Sequence, residues 1–175
     1  MAQGVSTTIE HPAQVQAGVG FSGLPNTLVS VDYFWVGFGS AFRELPVTFE
    51  GPAAANNGVL IQDYDNAWAI RAGVEYSMGR RVTARGGYSY VRAAAPPETV
   101  TPLLPDMDRR HYTLGFGVPF MNRYWLDAAY LRVDTDGRRG RVVERESRAQ
   151  RASDLNGGFY SFTANIFSLS VGAQF

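Results

Sequence analysis

The sequence predicts an all-β fold, an antiparallel transmembrane β-barrel, and three observations carry that expectation. Apolar residues alternate with small or polar ones along several segments of about ten residues. Long connections alternate with tight turns, as in barrels of the bacterial outer membrane. The chain also closes on an aromatic, Phe175, at the end of an amphipathic stretch. The 175 residues suffice for one domain, and residues 1–175 are read as a single barrel domain.

Each strand follows from its period of two. Val15, Ala17, Val19 and Phe21 oppose Gln16, Gly18, Gly20 and Ser22. The segment 28–49 is longer and less regular, and its Pro46 marks an edge, a bend or a projection above the membrane. In 67–78, Trp68, Ile70, Ala72, Val74, Tyr76 and Met78 form the apolar face, with Arg71, Gly73 and Glu75 on the other. In 81–92, Val82, Ala84, Gly86, Tyr88 and Tyr90 oppose Thr83, Arg85, Gly87 and Ser89. In 112–120, Tyr112, Leu114, Phe116, Val118 and Phe120 oppose Thr113, Gly115 and Gly117. In 124–133, Tyr124, Leu126, Ala128 and Tyr130 oppose Trp125, Asp127 and Ala129. The last strand carries Phe167, Leu169, Val171, Ala173 and Phe175 on one face. Its phase changes near Ile166 and Phe167, which reads as a bulge. Val5–Glu10 supplies an eighth strand.

The tight turns fall at 23–26, at 79–80 and around Asn122, and the long loops at roughly 50–66, 94–110 and 135–157. With tight turns on the periplasmic side, all three long loops lie outside. Trp68, Tyr88, Tyr90, Tyr112, Tyr130 and Tyr160 then form an outer aromatic girdle. Tyr76, Phe120, Tyr124 and Phe175 form an inner one. The opposite face is rich in Gly, Ala and Ser, which suits a crowded lumen better than a solvated exterior.

Composition narrows the classes further. Formal net charge is zero, so bulk charge gives no case for nucleic acid. All 16 basic residues are Arg, and there is no Cys. No run of about 18 apolar residues exists to form a transmembrane helix. The first residues, Met-Ala-Gln-Gly-Val-Ser, do not read as a secretory signal.

Several segments resemble the C-terminal half of FadL-type outer-membrane transporters. They are Gly73-Val74-Glu75-Tyr76, Arg85-Gly86-Gly87-Tyr88-Ser89-Tyr90 and Ala95-Pro96-Pro97. The loop motif Pro105-Asp106-Met107-Asp108-Arg109 and the stretch Leu126-Asp127-Ala128-Ala129-Tyr130 complete the set. Order, spacing and loop lengths carry the resemblance, from about Pro12 to Phe175. It implies a barrel of about fourteen strands with an N-terminal plug, passing long-chain fatty acids or aromatic hydrocarbons inward without energy input. On this reading the chain is the C-terminal seven to eight strands of a larger barrel, N-terminally truncated, and not an enzyme. The alternative is a small eight-stranded structural or adhesive barrel whose loops bind partners.

Candidate functional residues fall into groups. Arg71, Glu75, Arg85 and Asp127 face the lumen and are expected to form a polar network. Leu60, Ile61, Leu103, Leu104 and Met107 in the outer loops are the expected contacts for a hydrophobic substrate. Pro105, Asp106, Asp108 and Arg109 form the family-like loop motif. Asp106 and Asp108 near His111 also suggest a barrel-mouth hydrolase, although a loop junction held by Arg109, Arg110 or backbone amides explains them more simply. Asp134-Thr135-Asp136-Gly137 lacks the further ligands of a calcium loop, so no metal and no cofactor is expected. Arg138, Arg139, Arg141, Arg145, Arg148 and Arg151 suit a solvated loop, contact with lipopolysaccharide phosphates, or steering of fatty carboxylates. The expected partners are hydrophobic small molecules, outer-membrane lipid, and the barrel-assembly machinery through Phe175.

Overall fold

In the computed structural model of the chain, the alternating segments become one seven-stranded antiparallel sheet. The structure describes residues 4–79, 81–97, 99–100, 106–121, 123–140 and 158–173. The strands, in chain order, are β1 (Val5–Thr7), β2 (Gln14–Leu24), β3 (Thr27–Val36), β4 (Glu44–Phe49), β5 (Gly58–Ile61) and β6 (Ala67–Met78). They continue with β7 (Val82–Val91), β8 (Arg109–Phe120), β9 (Tyr124–Thr135), β10 (Arg138–Arg139), β11 (Phe159–Tyr160) and β12 (Thr163–Ala173). The wall sheet has the order β12-β9-β8-β7-β6-β3-β2. Its seven long strands of 10 to 12 residues match what a tilted strand needs to cross a bilayer.

Two exposed faces of opposite chemistry define the wall. Val19 is 70% exposed, Leu114 58% and Leu169 71%, so the apolar side chains point away from any protein core. A soluble sheet would bury that face, whereas lipid is the solvent that accepts it. Registered aromatic pairs band it at both ends. Tyr88 faces Tyr112 with ring centroids 5.4 Å apart, and Tyr130 faces Phe167 at 5.0 Å. Phe120 stacks on Tyr124 at 5.6 Å beside the Met121–Arg123 turn. The other face carries Gly18, Asp32, Arg71, Ser89 and His111 in one cross-strand row. Gly20, Ser30, Gly73, Gly87 and Thr113 form the next.

Connections alternate as expected: tight turns at Pro25–Asn26, at Gly79 and at Met121, long segments at 37–66, 92–108 and 136–162. The irregular stretch after residue 28 resolves into two parts. β3 belongs to the wall, and a short helix, α1 (Phe38–Ala41), then leads to β4. β4 lies in a separate three-stranded sheet, β1-β4-β5. Pro46 pairs with Val59 of β5, beyond the reach of β1, whose pairing stops at Val47. Its missing N–H therefore faces no partner strand. Its carbonyl instead accepts the Thr7 hydroxyl at 2.8 Å.

Three expectations are corrected. Val5–Thr7 pairs with β4 and contributes no eighth wall strand. β12 runs in unbroken register against β9 from Thr163 to Ala173, so no bulge exists at Ile166; the register shift lies between Phe21 and Leu24. The apparent phase change arises because Ile166 faces the lumen opposite Leu131. Tyr160 pairs with Arg138 in a two-stranded loop sheet and lies outside the wall. Phe175 lies outside the described residues.

All neighbouring wall strands are antiparallel, so the two edge strands, β2 and β12, run in the same direction.

The two faces make opposite demands on one pair of neighbours. Leu114→Arg places a charge in lipid and is expected to cost about 2–4 kcal/mol. Thr113→Arg, on the lumen face, is expected to be tolerated. Unfolding midpoints of the folded protein in lipid check this, and equal losses contradict the assignment of faces.

Candidate functional site

Two cavities lie along the lumen face. One, of about 610 Å³, spans the middle of the wall between Asp32, Arg71, Glu75, Arg85, His111 and Thr113. Its floor is Gly and Ser, because backbone-sized residues leave room where longer ones would fill the space. At its inner end Arg85 donates to Glu75 at 2.7 Å and to Asp127 at 3.0 Å. Cross-strand register makes this trio: Glu75 is directly opposite Arg85, and Asp127 is opposite Gly117 on the next row. The expected four-residue network thus splits. Arg71 is not part of it and faces Asp32 at 3.6 Å, with its guanidinium 5.4 Å from the centre of the Phe34 ring.

The second cavity, of about 580 Å³, sits at the outer end, where the long connections meet the wall. Strand ends supply Phe34, Val36, Ala67, Ala69, Val91 and Arg109, and the first long connection supplies Phe38, Phe42 and Tyr64. The three loop rings pack together, Phe38 on Phe42 at 5.5 Å and Phe42 on Tyr64 at 6.0 Å. Helix α1 places Phe38 and Phe42 one turn apart. The Asn66 side chain accepts the Gly39 N–H at 3.0 Å, and Arg43 Nε donates to the Gly39 carbonyl at 2.8 Å, which fix that turn in place. Burial first, then the charge of Asp106, raises the Tyr64 hydroxyl above the usual phenol range, so Tyr64 stays a neutral wall element.

Asp106 and Asp108 fold the second long loop. Asp106 Oδ2 accepts the N–H groups of Ala94 and Ala95 at 2.7 and 3.0 Å. Asp108 accepts the Ala93 N–H at 2.8 Å and the Tyr90 hydroxyl at 2.6 Å. Arg138 donates to the carbonyls of Ala95 and Asp106. The clasp closes over a small core of Ala93, Ala94, Ala95, Val100 and Met107.

This disposes of the hydrolase arrangement. Both carboxylates are engaged in the loop, Asp106 by two backbone N–H groups and Asp108 by one backbone N–H and the Tyr90 hydroxyl, and no hydrogen bond joins His111 to either among the described residues. His111 lies instead on the lumen face opposite Ser89. The carboxylates of the 134–137 stretch are engaged by arginines: Asp136 by Arg110 through two bonds of 2.8 and 2.7 Å, Asp134 by Arg132 at 2.8 Å.

The expected substrate contacts are scattered. Met107 is sealed in the loop core at 2% exposure, and Leu60 and Ile61 lie on β5 of the small loop sheet. None of the three lines the outer cavity. Leu103, Leu104 and Pro105 lie outside the described residues, as do Arg141, Arg145, Arg148 and Arg151. The aromatic wall of the outer cavity was missed at the sequence level, although Phe34, Phe38 and Phe42 recur at a spacing of four.

A family model described as outer membrane protein transport protein (OMPP1/FadL/TodX) matches residues 3–175. A FadL homologue of Pseudomonas aeruginosa superposes with a TM-score of 0.74 at 24% identity, over 95% of this chain and 36% of that one. The monoaromatic hydrocarbon channel CymD superposes with a TM-score of 0.58 at 20% identity, over 75% of this chain and 33% of that one. The chain therefore spans about a third of the length of the solved structures it matches. No curated protein matches it.

The clasp yields a direct expectation. Asp106→Ala strands two buried N–H groups, at about 1–3 kcal/mol each. Limited proteolysis within 92–108 should accelerate while the wall strands stay protected. Unchanged cleavage contradicts the clasp.

Proposed function

The chain belongs to the OMPP1/FadL/TodX family of outer membrane transport proteins, and on that premise we propose that it forms part of the wall and the outer mouth of a passive channel for hydrophobic molecules. The family is one of transport proteins of the bacterial outer membrane, not of enzymes. Long-chain fatty acids or aromatic hydrocarbons are the substrates this reading admits.

The observation that supports it most is the outer cavity. Its lining is mostly apolar, with rings from Phe34, Phe38, Phe42 and Tyr64. It lies where the outer loops meet a polar lumen. A hydrophobic solute that leaves the outer surface meets apolar walls there, worth about 25 cal/mol per Å² of apolar surface removed from water. The solute then faces a cavity floored by small residues, which holds it weakly and lets it move on. Binding strong enough to collect and weak enough to release is what passive passage requires.

Shaving the aromatic wall should therefore slow uptake. The Phe38→Ala, Phe42→Ala double variant is expected to lower uptake of hydrophobic substrate about tenfold, equivalent to about 1.4 kcal/mol of lost contact. Radiolabelled substrate uptake, at equal protein in the outer membrane, measures this. Unaltered uptake sinks the proposal and favours the reading of a structural or adhesive barrel.

A further inference from the structure

The lipid-facing side of the wall changes character toward its outer end. The outward residues of β8 run Phe116, Leu114, Tyr112 and Arg110, and those of β9 run Ala128, Tyr130, Arg132 and Asp134. Register joins them to β7 and β12 in cross-strand rows. The outermost row is Tyr90, Arg110, Asp134 and Thr163. Next come Tyr88, Tyr112, Arg132 and Asn165, and beneath them Gly86, Leu114, Tyr130 and Phe167. A charge facing lipid is costly at the bilayer midplane and nearly free at the interface, so the two charged rows sit at head-group level.

These rows hold more donors than acceptors. Arg132 meets Asp134 at 2.8 Å and donates to Asn165 Oδ1 at 3.4 Å. That oxygen also accepts the Tyr130 hydroxyl at 2.7 Å. Arg110 donates twice to Asp136, at 2.8 and 2.7 Å. The carboxylates orient the two guanidiniums without exhausting them, because each guanidinium carries five N–H donors. The hydroxyls of Tyr88 and Tyr112 have no hydrogen-bond partner among the described residues. Arg92, two residues beyond Tyr90, is an exposed cation with no ion-pair partner among the described residues.

Directly below the charged rows, the same face carries a groove of about 460 Å³, lined chiefly by Leu114, Phe116, Ala128, Tyr130, Phe167 and Leu169. Ala128 makes it, because register sets this methyl-sized side chain between Phe116 and Leu169 and leaves a trough between two ridges. The trough opens toward lipid, with Phe167 79% and Leu169 71% exposed. Its upper end is Tyr130, which leads through Asn165 to Arg132.

We propose that this surface seats one molecule of the lipid A moiety of lipopolysaccharide, a phosphate accepting from Arg110, Arg132 and the Tyr88 and Tyr112 hydroxyls and an acyl chain lying in the groove over Ala128. The inference goes beyond the transport reading and needs only the outer-membrane location. A phosphate is an acceptor whose oxygens match the fork of a guanidinium, which is what the surplus of donors lacks. Phospholipids carry phosphate too, but the outer leaflet beside this rim is built of lipopolysaccharide. The partial exposure of Arg110 and Arg132, 39% and 43%, leaves both within reach of a head group.

The test is native mass spectrometry of the protein extracted from outer membranes in mild detergent and titrated with diphosphoryl lipid A or with phosphatidylglycerol. One lipid A should bind at least about tenfold more tightly than phosphatidylglycerol. Arg110→Gln combined with Arg132→Gln should weaken lipid A by about ten- to a hundredfold. Arg110→Lys combined with Arg132→Lys should recover part of the loss, because charge returns without the planar fork. Ala128→Phe keeps every donor and fills the groove, and should weaken lipid A about tenfold. Unchanged lipid A binding in the Gln variant would overturn the head-group assignment and leave Arg110 and Arg132 as ion pairs of the rim. Unchanged binding in Ala128→Phe would remove the groove as the seat of the chain. Equal affinity for the two lipids would overturn the choice of lipid A as occupant.

Discussion

Every backbone N–H and C=O in a bilayer needs a partner, because lipid offers none. That constraint governs this chain more than any single contact. The wall strands meet it through six antiparallel pairings, from β12 through to β2. The outer faces of β2 and β12 are the places where it is not met within the sheet. Both edges run in the same direction, so joining them directly, or joining them to a second copy related by a two-fold axis along the membrane normal, creates parallel seams. A ring in which every neighbour is antiparallel holds an even number of strands. Seven therefore close only with an odd number of further strands between the edges. The solved structures it matches, of which it covers about a third, share the fold.

The two faces of the wall follow from the same constraint. Once pairing is satisfied, side chains decide solubility in lipid, and the alternation assigns each residue to one side. Apolar residues and registered aromatics occupy the outer face. Charges are confined to the lumen and to the loop ends, where water or a partner offsets their desolvation. The Arg85 trio shows the inner solution, a cation shared between two carboxylates. Arg71 and Arg109 show the outer one, in which pairing is left loose beside an apolar chamber.

Legibility in the sequence tracked the length of each periodic run. β6 and β7 match their sequence-level bounds within a residue, because 12 and 10 residues of clean alternation leave little choice of register. β8 and β9 extend beyond their expected limits, since Arg109–His111 and Asp134–Thr135 continue the pairing with polar side chains at the outer rim. The stretch from Val36 to Ile61 was opaque, because a one-turn helix and short strands carry too few residues to show a period. The polar network was half legible. Alternation placed Glu75, Arg85 and Asp127 on one face, but only register could show that Arg71 belongs with Asp32. The roles of Asp106 and Asp108 were open at the sequence level, because their partners are mainly backbone amides that no side-chain pattern marks. The outer cavity draws on five wall strands and two long connections, so it exists only after folding.

The central claim is that one face of this wall meets lipid and the other a water-accessible lumen. The chain has no cysteine, so single cysteines can be introduced one at a time along β8 without background. Labelling in intact outer membranes with a water-soluble maleimide tests the claim directly. The account predicts strong labelling at 113, 115 and 117 and weak labelling at 112, 114 and 116. Uniform labelling, or the opposite alternation, would contradict it.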